Sequence, residues 1–246
     1  MRPGCLSVAF GIAAHQRTKE SDRLEIDAVG DSYTRWMAGR AELIRRACAG
    51  LRLAADARVL DVAAGDGTLS SMVARLTGGR LLCHDLDGRE CGRAASSGFP
   101  AVRGDVRALP FRAAGADLTI AFEIIEHLQP WEASSFVAEL ARVTRAGGAL
   151  ILSTPNRYSL QSFRGMARYL RDGTVWNAND QTHAQLYSLR TLTRLLSSEF
   201  VVERALGYYL IPDMRGRASR WTYRISEGGP LPALSHKLMI VARRPG

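Results

Sequence analysis

Three ionisable side chains close an apolar run in this chain. The segment Ala116–Pro130, ADLTIAFEIIEHLQP, holds strand-forming residues up to Phe122 and then presents Glu123, Glu126 and His127. Burying such groups is costly unless each finds a partner, so their placement calls for a chemical role. A second candidate is VLDVAAGDGTLS, where Asp61 ends an apolar run and Ala63, Gly65 and Gly67 make a small-residue turn before a helix starting near Thr68. Small residues let a ligand approach the backbone, and a helix N-terminus offers free N–H groups. A dinucleotide site would need G-x-G-x-x-G, its third glycine packing helix on strand. Here Gly67 is followed by Leu69 and Ser70, so a nicotinamide reading fails at that position.

The elements that must position these groups show in the periodicity. From about Arg58 onward short apolar runs alternate with helical patterns, which predicts a parallel sheet wrapped by helices. Strands are expected at Arg58–Ala63, Arg80–Asp85, Ala101–Asp105, Ala116–Phe122, Gly148–Thr154, Phe200–Ile211 and His236–Arg244. Helices are expected over LSSMVARL, EASSFVAELARVTR and LRTLTRLLSSE, with Gly147 and Gly148 stopping a helix before the fifth strand. Residues 20–52 read as one or two helices, of which YTRWMAGRAELIRRAC is amphipathic. Ligands of open α/β sheets bind beyond the carboxyl ends of the strands. The 21–55 cover and the 157–182 insertion therefore become candidates for a substrate pocket and lid, and 212–233 for a loop between the last two strands. Residues 1–20 read as a disordered leader, with a signal peptide as the lesser alternative, and 21–246 as a single domain.

Composition narrows the function. The 246 residues are 46% hydrophobic, enough for one large core. No apolar run approaches the roughly 20 residues of a membrane span, so a soluble protein is expected. Cys5, Cys48, Cys83 and Cys91 show neither zinc-knuckle nor disulfide spacing, which fits a reducing cytoplasm. A net charge of +9 ordinarily suggests an anionic partner. Lys19 and Lys237 are the only lysines, however, and arginine is spread through every segment. Arg164, Arg168 and Arg171, and Arg215, Arg217, Arg220 and Arg224 around Trp221 and Tyr223, either bind a phosphate or RNA backbone or form a solvated face. Tyr33 and Trp36 either stack on a substrate or belong to the core.

The glycine turn resembles motif I, D-x-G-x-G-x-G, of the class I S-adenosylmethionine-dependent methyltransferases, with Ala63 in place of the first glycine. HDLD, RGDVRALPF, ADLTIAFEIIEHL and LARVTRAGGALILSTPNR follow in the family's order. The resemblance implies a Rossmann-like class I methyltransferase fold, α/β, with a seven-stranded mostly parallel sheet, an antiparallel last strand and a helical N-terminal cover. It also implies S-adenosylmethionine as cofactor and S-adenosylhomocysteine as product. Asp61, Ala63, Gly65 and Gly67 would cradle it, Asp85 and Leu86 would meet the ribose end, Asp105 and Val106 the adenine, and Phe122 would border it.

Methyl transfer from a sulfonium needs alignment of the acceptor and, for a hydroxyl, a base or a metal. The Asn/Asp-Pro-Pro-Tyr motif of nucleobase amine methylation is absent, and no Cys lies near the strand end for a covalent thiol. E-x-x-E-H followed by STPN and a further His, here His183, resembles the O-methyltransferases of ubiquinone biosynthesis and the 2′-O-methyltransferases of small RNAs. That resemblance implies a divalent metal such as Mg held by Glu123, Glu126, His127 and His183. The alternatives are His127 or His183 as a metal-free base, with Glu123 beside it, and a structural role for the cluster. A small-molecule hydroxyl is the expected acceptor, nucleic acid being disfavoured by the diffuse charge. N- or C-methylation, RNA 2′-O-methylation and SAM binding without catalysis stay open, as do monomer and homodimer.

Overall fold

The computed structural model describes residues 30–159, 171, 182–208 and 231–246, except for the side chains of 30–36, 38, 208 and 231. The expected leader, most of the 157–182 lid, most of the 212–233 loop, all the singled-out arginines except Arg171, and the Tyr33 and Trp36 side chains lie outside the described residues. Arg171 is exposed.

The described elements run in the order α1 (Gly30–Cys48), β1 (Arg58–Val62), α2 (Thr68–Thr77), β2 (Arg80–Asp85), α3 (Gly88–Ser96), β3 (Ala101–Arg103) and β4 (Ala116–Phe122). A 3-10 turn (Ile125–His127), α4 (Ala133–Val143), β5 (Thr144–Pro155), α5 (Leu189–Leu196), β6 (Val201–Tyr208), a second 3-10 turn (Leu231–Leu234) and β7 (Lys237–Arg243) complete the order. One sheet holds all seven strands in the order β3-β2-β1-β4-β5-β7-β6. The first five are mutually parallel, and β7 runs antiparallel between β5 and β6. This is the mostly parallel, seven-stranded arrangement that the alternating pattern implies.

Helices cover both faces. Leu118, Ile120 and Phe122 of β4 pack with Leu43 and Ile44 of α1 and Val73 of α2 on one side. Ala121 of β4, Leu150 and Leu152 of β5, Phe136 and Leu140 of α4, and Leu192 and Leu196 of α5 fill the other. A strand buried on both faces reads as a continuous apolar run, which is why β4 carries no polar residue to alternate except Asp117 and Thr119. Thr119 is satisfied by Thr144 at 2.7 Å. Each fully buried Leu or Ile contributes about 1.5–3 kcal/mol relative to exposure.

Several boundaries differ from expectation, two of them in ways that shape the sheet. β3 stops at Arg103, and Asp105 pairs with Ala108 in an isolated bridge instead of extending the strand. The Gly147–Gly148 pair does not end a helix, because α4 already stops at Val143. These glycines lie within β5, where its register with β4 slips between Ala116 and Leu118. Gly147 adopts φ 69°, and a Cβ at Gly148 would sit 2.8 Å from the Arg145 carbonyl oxygen. Among the described residues no helix is long and apolar enough to cross a membrane.

Candidate active site

Parallel strands end on one edge of the sheet, so the residues singled out at their carboxyl ends become neighbours there. The turn after β1 holds Ala63, Gly65 and Gly67 at φ 61°, 58° and 78°. That left-handed conformation suits glycine and strains alanine. Asp85, at the end of β2, accepts the Gly65 N–H at 2.8 Å through one carboxylate oxygen and the Asp87 N–H at 2.9 Å through the other. One acidic side chain thereby shapes the glycine turn and the following Leu86–Asp87 bend. Leu86 is half-buried, and its carbonyl accepts from the Arg103 guanidinium at 3.1 Å.

Asp61 is buried beneath this turn and accepts the Ser70 hydroxyl, while its Oδ1 has no hydrogen-bond partner among the described residues. Burial pushes the Asp61 carboxyl up to about 7; the Ser70 hydrogen bond opposes the shift and the charge of Asp85 adds to it. Asp105 is gripped by Arg107, whose Nε lies 2.9 and 3.0 Å from its two oxygens. This holds the carboxyl below its ordinary range. Arg107 also donates to Glu132 at 2.8 Å, linking the β3 loop to the start of α4. Val106 and Phe122 are both buried.

Beyond β4 the acidic and imidazole groups divide into two sets. Glu126, His127 and His183 bring one ligand atom each to within 4.8 Å of one another. The 3-10 turn carries the first two, and the Glu126 carbonyl accepts the N–H groups of Ala184 at 2.8 Å and Gln185 at 3.2 Å, which fastens the His183 segment to the turn. The His127 and His183 rings meet edge to face at 5.1 Å. His127 Nδ1 lies 3.1 Å from the Thr182 carbonyl oxygen. A carbonyl can only accept, so Nδ1 carries the hydrogen of this bond. Glu126 is fully buried; its Oε2 accepts the Thr154 hydroxyl at 2.9 Å, and its Oε1 has no hydrogen-bond partner among the described residues. Burial, with the nearby charge of Glu123, pushes this carboxyl up.

Glu123, the expected fourth member, is not part of that group. Its backbone adopts φ 54°, and its carboxylate accepts from the Lys237 ammonium, from Ser153 Oγ at 2.8 Å and lies 3.7 Å from Arg40. Burial alone would raise its pKa, but Lys237 and Arg40 outweigh burial and hold the group well below the ordinary range. Two cations and a hydroxyl thus engage the Glu123 carboxylate. Lys237, Arg40 and Ser153 have no place among the residues singled out from the sequence. The one signal for Lys237 is its rarity, as one of two lysines in an arginine-rich chain.

A family model described as a methyltransferase domain matches residues 60–152. The chain is 30% identical over 155 residues, 61% of its length, to a protein of Mycolicibacterium smegmatis named as an S-adenosylmethionine-dependent methyltransferase, and covers 54% of that protein. A Mycobacterium tuberculosis protein of the same description is 32% identical over 109 residues, 43% of this chain and 38% of that protein. The chain therefore spans about half the length, or less, of these curated relatives. Among solved structures, a chain in the complex between the Haloferax volcanii Trm112 methyltransferase activator and a methyltransferase superposes with TM-score 0.63 at 14% identity, covering 90% of this chain and 96% of that one. One named as a methyltransferase from Bacillus halodurans gives TM-score 0.57 at 17% identity, covering 82% and 99%. At such identities the likeness speaks for the fold alone.

Proposed function

For a chain that belongs to the class I S-adenosylmethionine-dependent methyltransferases, we propose methyl transfer to a hydroxyl of a small-molecule acceptor, assisted by a divalent cation. The observation that carries this reading is the convergence of Glu126, His127 and His183 at the end of β4, the strand that pairs directly with the cofactor-loop strand β1.

The residues at the sheet edge fit the cofactor. S-adenosylmethionine supplies a methyl group already activated on sulfur, which leaves the protein to bind and align. Gly65 and Gly67 let the backbone close on it. Among the described residues Asp85 spends one lone pair of each carboxylate oxygen on backbone N–H groups, and the others are assigned to ribose hydroxyls. Asp105 and Val106 meet the adenine, with Leu86 and Phe122 beside them, and Asp61 and Ala63 set the turn.

The acceptor side fits a cation. Glu126 Oε1 is a buried oxygen with no hydrogen-bond partner among the described residues, and the two imidazoles beside it are potential ligands. A divalent cation held there would lower the pKa of an acceptor hydroxyl and fix its position. Thr154 holds Glu126, and the Thr182 carbonyl orients His127 through Nδ1. The Nδ1 contact that orients this imidazole also supports a second reading, in which His127 takes the acceptor proton with no metal.

The test is incubation with methyl-labelled S-adenosylmethionine and a panel of hydroxyl and amine acceptors, read by mass spectrometry with and without EDTA. O-methylated product that disappears on chelation and returns with Mn²⁺ is expected. Full activity in EDTA removes the metal and leaves His127 as the base. Product methylated only on nitrogen or carbon overturns the hydroxyl acceptor.

A further inference from the structure

We propose that Glu123 is the counter-ion of Lys237 and Arg40 and not a metal ligand, so that the cation site is a three-residue set of one carboxylate and two imidazoles. This rests on the metal-assisted reading above.

Both Glu123 oxygens are already engaged. One accepts the Lys237 ammonium, and the other accepts Ser153 Oγ at 2.8 Å with Arg40 at 3.7 Å. The side chains of Arg40, Lys237 and Glu123 retain only 15%, 16% and 19% of their exposure, so the carboxylate offsets one of two positive charges in a poorly solvated place. Drawing Glu123 toward a metal would leave two cations there without their carboxylate, a costly arrangement. The left-handed backbone of Glu123, φ 54°, adds to this. A non-glycine residue keeps such a conformation where its surroundings fix it, and Lys237, Ser153 and Arg40 supply that fixing from β7, β5 and α1.

Glu126 is the opposite case. Its only side-chain hydrogen bond among the described residues comes from Thr154, and its second oxygen is bare. With Glu123 set aside, two imidazoles and one carboxylate would hold the ion, and a six-coordinate ion would keep about three positions for acceptor oxygens and solvent. Losing one carboxylate also makes the donor set softer, which favours Mn²⁺, Fe²⁺ or Zn²⁺ over Mg²⁺.

The experiment titrates the metal-stripped full chain with Mn²⁺ and, separately, Mg²⁺, by calorimetry and by the Mn²⁺ electron paramagnetic resonance signal. Glu126→Gln and His183→Ala should each weaken Mn²⁺ binding at least about tenfold, and Mn²⁺ should bind more tightly than Mg²⁺. Glu123→Gln should stay within about threefold of the unaltered chain. Because that variant leaves Lys237 facing a neutral group and could unfold, the double variant Glu123→Gln/Lys237→Met removes both charges at similar volume and should bind Mn²⁺ within the same margin. A tenfold loss in the folded double variant, with binding intact in the unaltered chain, makes Glu123 a ligand and overturns this inference alone. No Mn²⁺ binding by the unaltered chain overturns the metal-assisted reading and this inference with it.

Discussion

Lys237 and Glu123 form an ion pair across 114 residues of sequence, tying the first residue of β7 to the turn that follows β4. Breaking a partly buried pair from one side costs more than replacing both members, because one charge is left poorly solvated. Lys237→Met should therefore destabilise the chain by about 2–3 kcal/mol, and Glu123→Gln/Lys237→Met, which takes the carboxylate only from Arg40 at 3.7 Å, by less than that. Urea unfolding followed by tryptophan fluorescence checks both. A double variant as unstable as the single one would contradict the pairing.

Ala63 makes a second prediction. It stands where the family's motif carries glycine, and its φ of 61° costs an L-residue about 1–2 kcal/mol. Glycine relieves that strain but gives back part of it through a less restricted unfolded chain. Ala63→Gly should stabilise the protein by about 0.5–1 kcal/mol, seen as a higher urea midpoint with an unchanged slope.

The buried Asp61 makes stability depend on pH with a definite sign. Burial raises its folded pKa from 3.8 to about 7, so between those values the folded state holds a proton that the unfolded state has lost. This group's contribution is fully present below about pH 4 and is lost as the pH rises toward 7. Asp61→Asn keeps an oxygen to accept from Ser70 and cannot ionise. Melts without cofactor should show the Tm difference, variant minus unaltered chain, growing from pH 5 to pH 8. A difference independent of pH would mean that Asp61 titrates normally.

How far the sequence reveals these features depends on the range of the interactions. β2 and β4 coincide with their apolar runs to the residue, because burial in a parallel sheet leaves a local signature. β5 begins four residues before its apolar run, since pairing with β4 starts at Thr144 and passes through the glycine irregularity, a matter of neighbouring strands. Glu126 and His127 stand out locally, as two ionisable groups after a buried strand. His183 is recognisable only through resemblance, because the backbone bonds that dock its segment on Glu126 join residues more than fifty positions apart. The same holds for Arg107, whose bridge from Asp105 to Glu132 depends on how β3 and α4 meet. The pairing of Glu123 with Lys237 is the strongest such case, since its partner lies 114 residues away and leaves no mark on the local E-x-x-E-H spacing.

Asp85 gives a prediction for the cofactor side. Its two hydrogen bonds to the Gly65 and Asp87 N–H groups shape the turn, and its remaining lone pairs are assigned to ribose hydroxyls. Charge-assisted hydrogen bonds are worth about 1.5–3 kcal/mol each. Asp85→Ala should weaken S-adenosylhomocysteine binding at least about tenfold by calorimetry. Unchanged affinity would remove Asp85 from the cofactor site.

The central claim, a cation held by Glu126, His127 and His183 beside a bound cofactor, is tested most directly by anomalous diffraction from crystals grown with S-adenosylhomocysteine and Mn²⁺. The account predicts an Mn²⁺ peak at about 2.0–2.3 Å from the Glu126 carboxylate and both imidazoles, with the Glu123 carboxylate still on Lys237. Density for S-adenosylhomocysteine on the Asp85 edge with no Mn²⁺ peak among those three residues would contradict it.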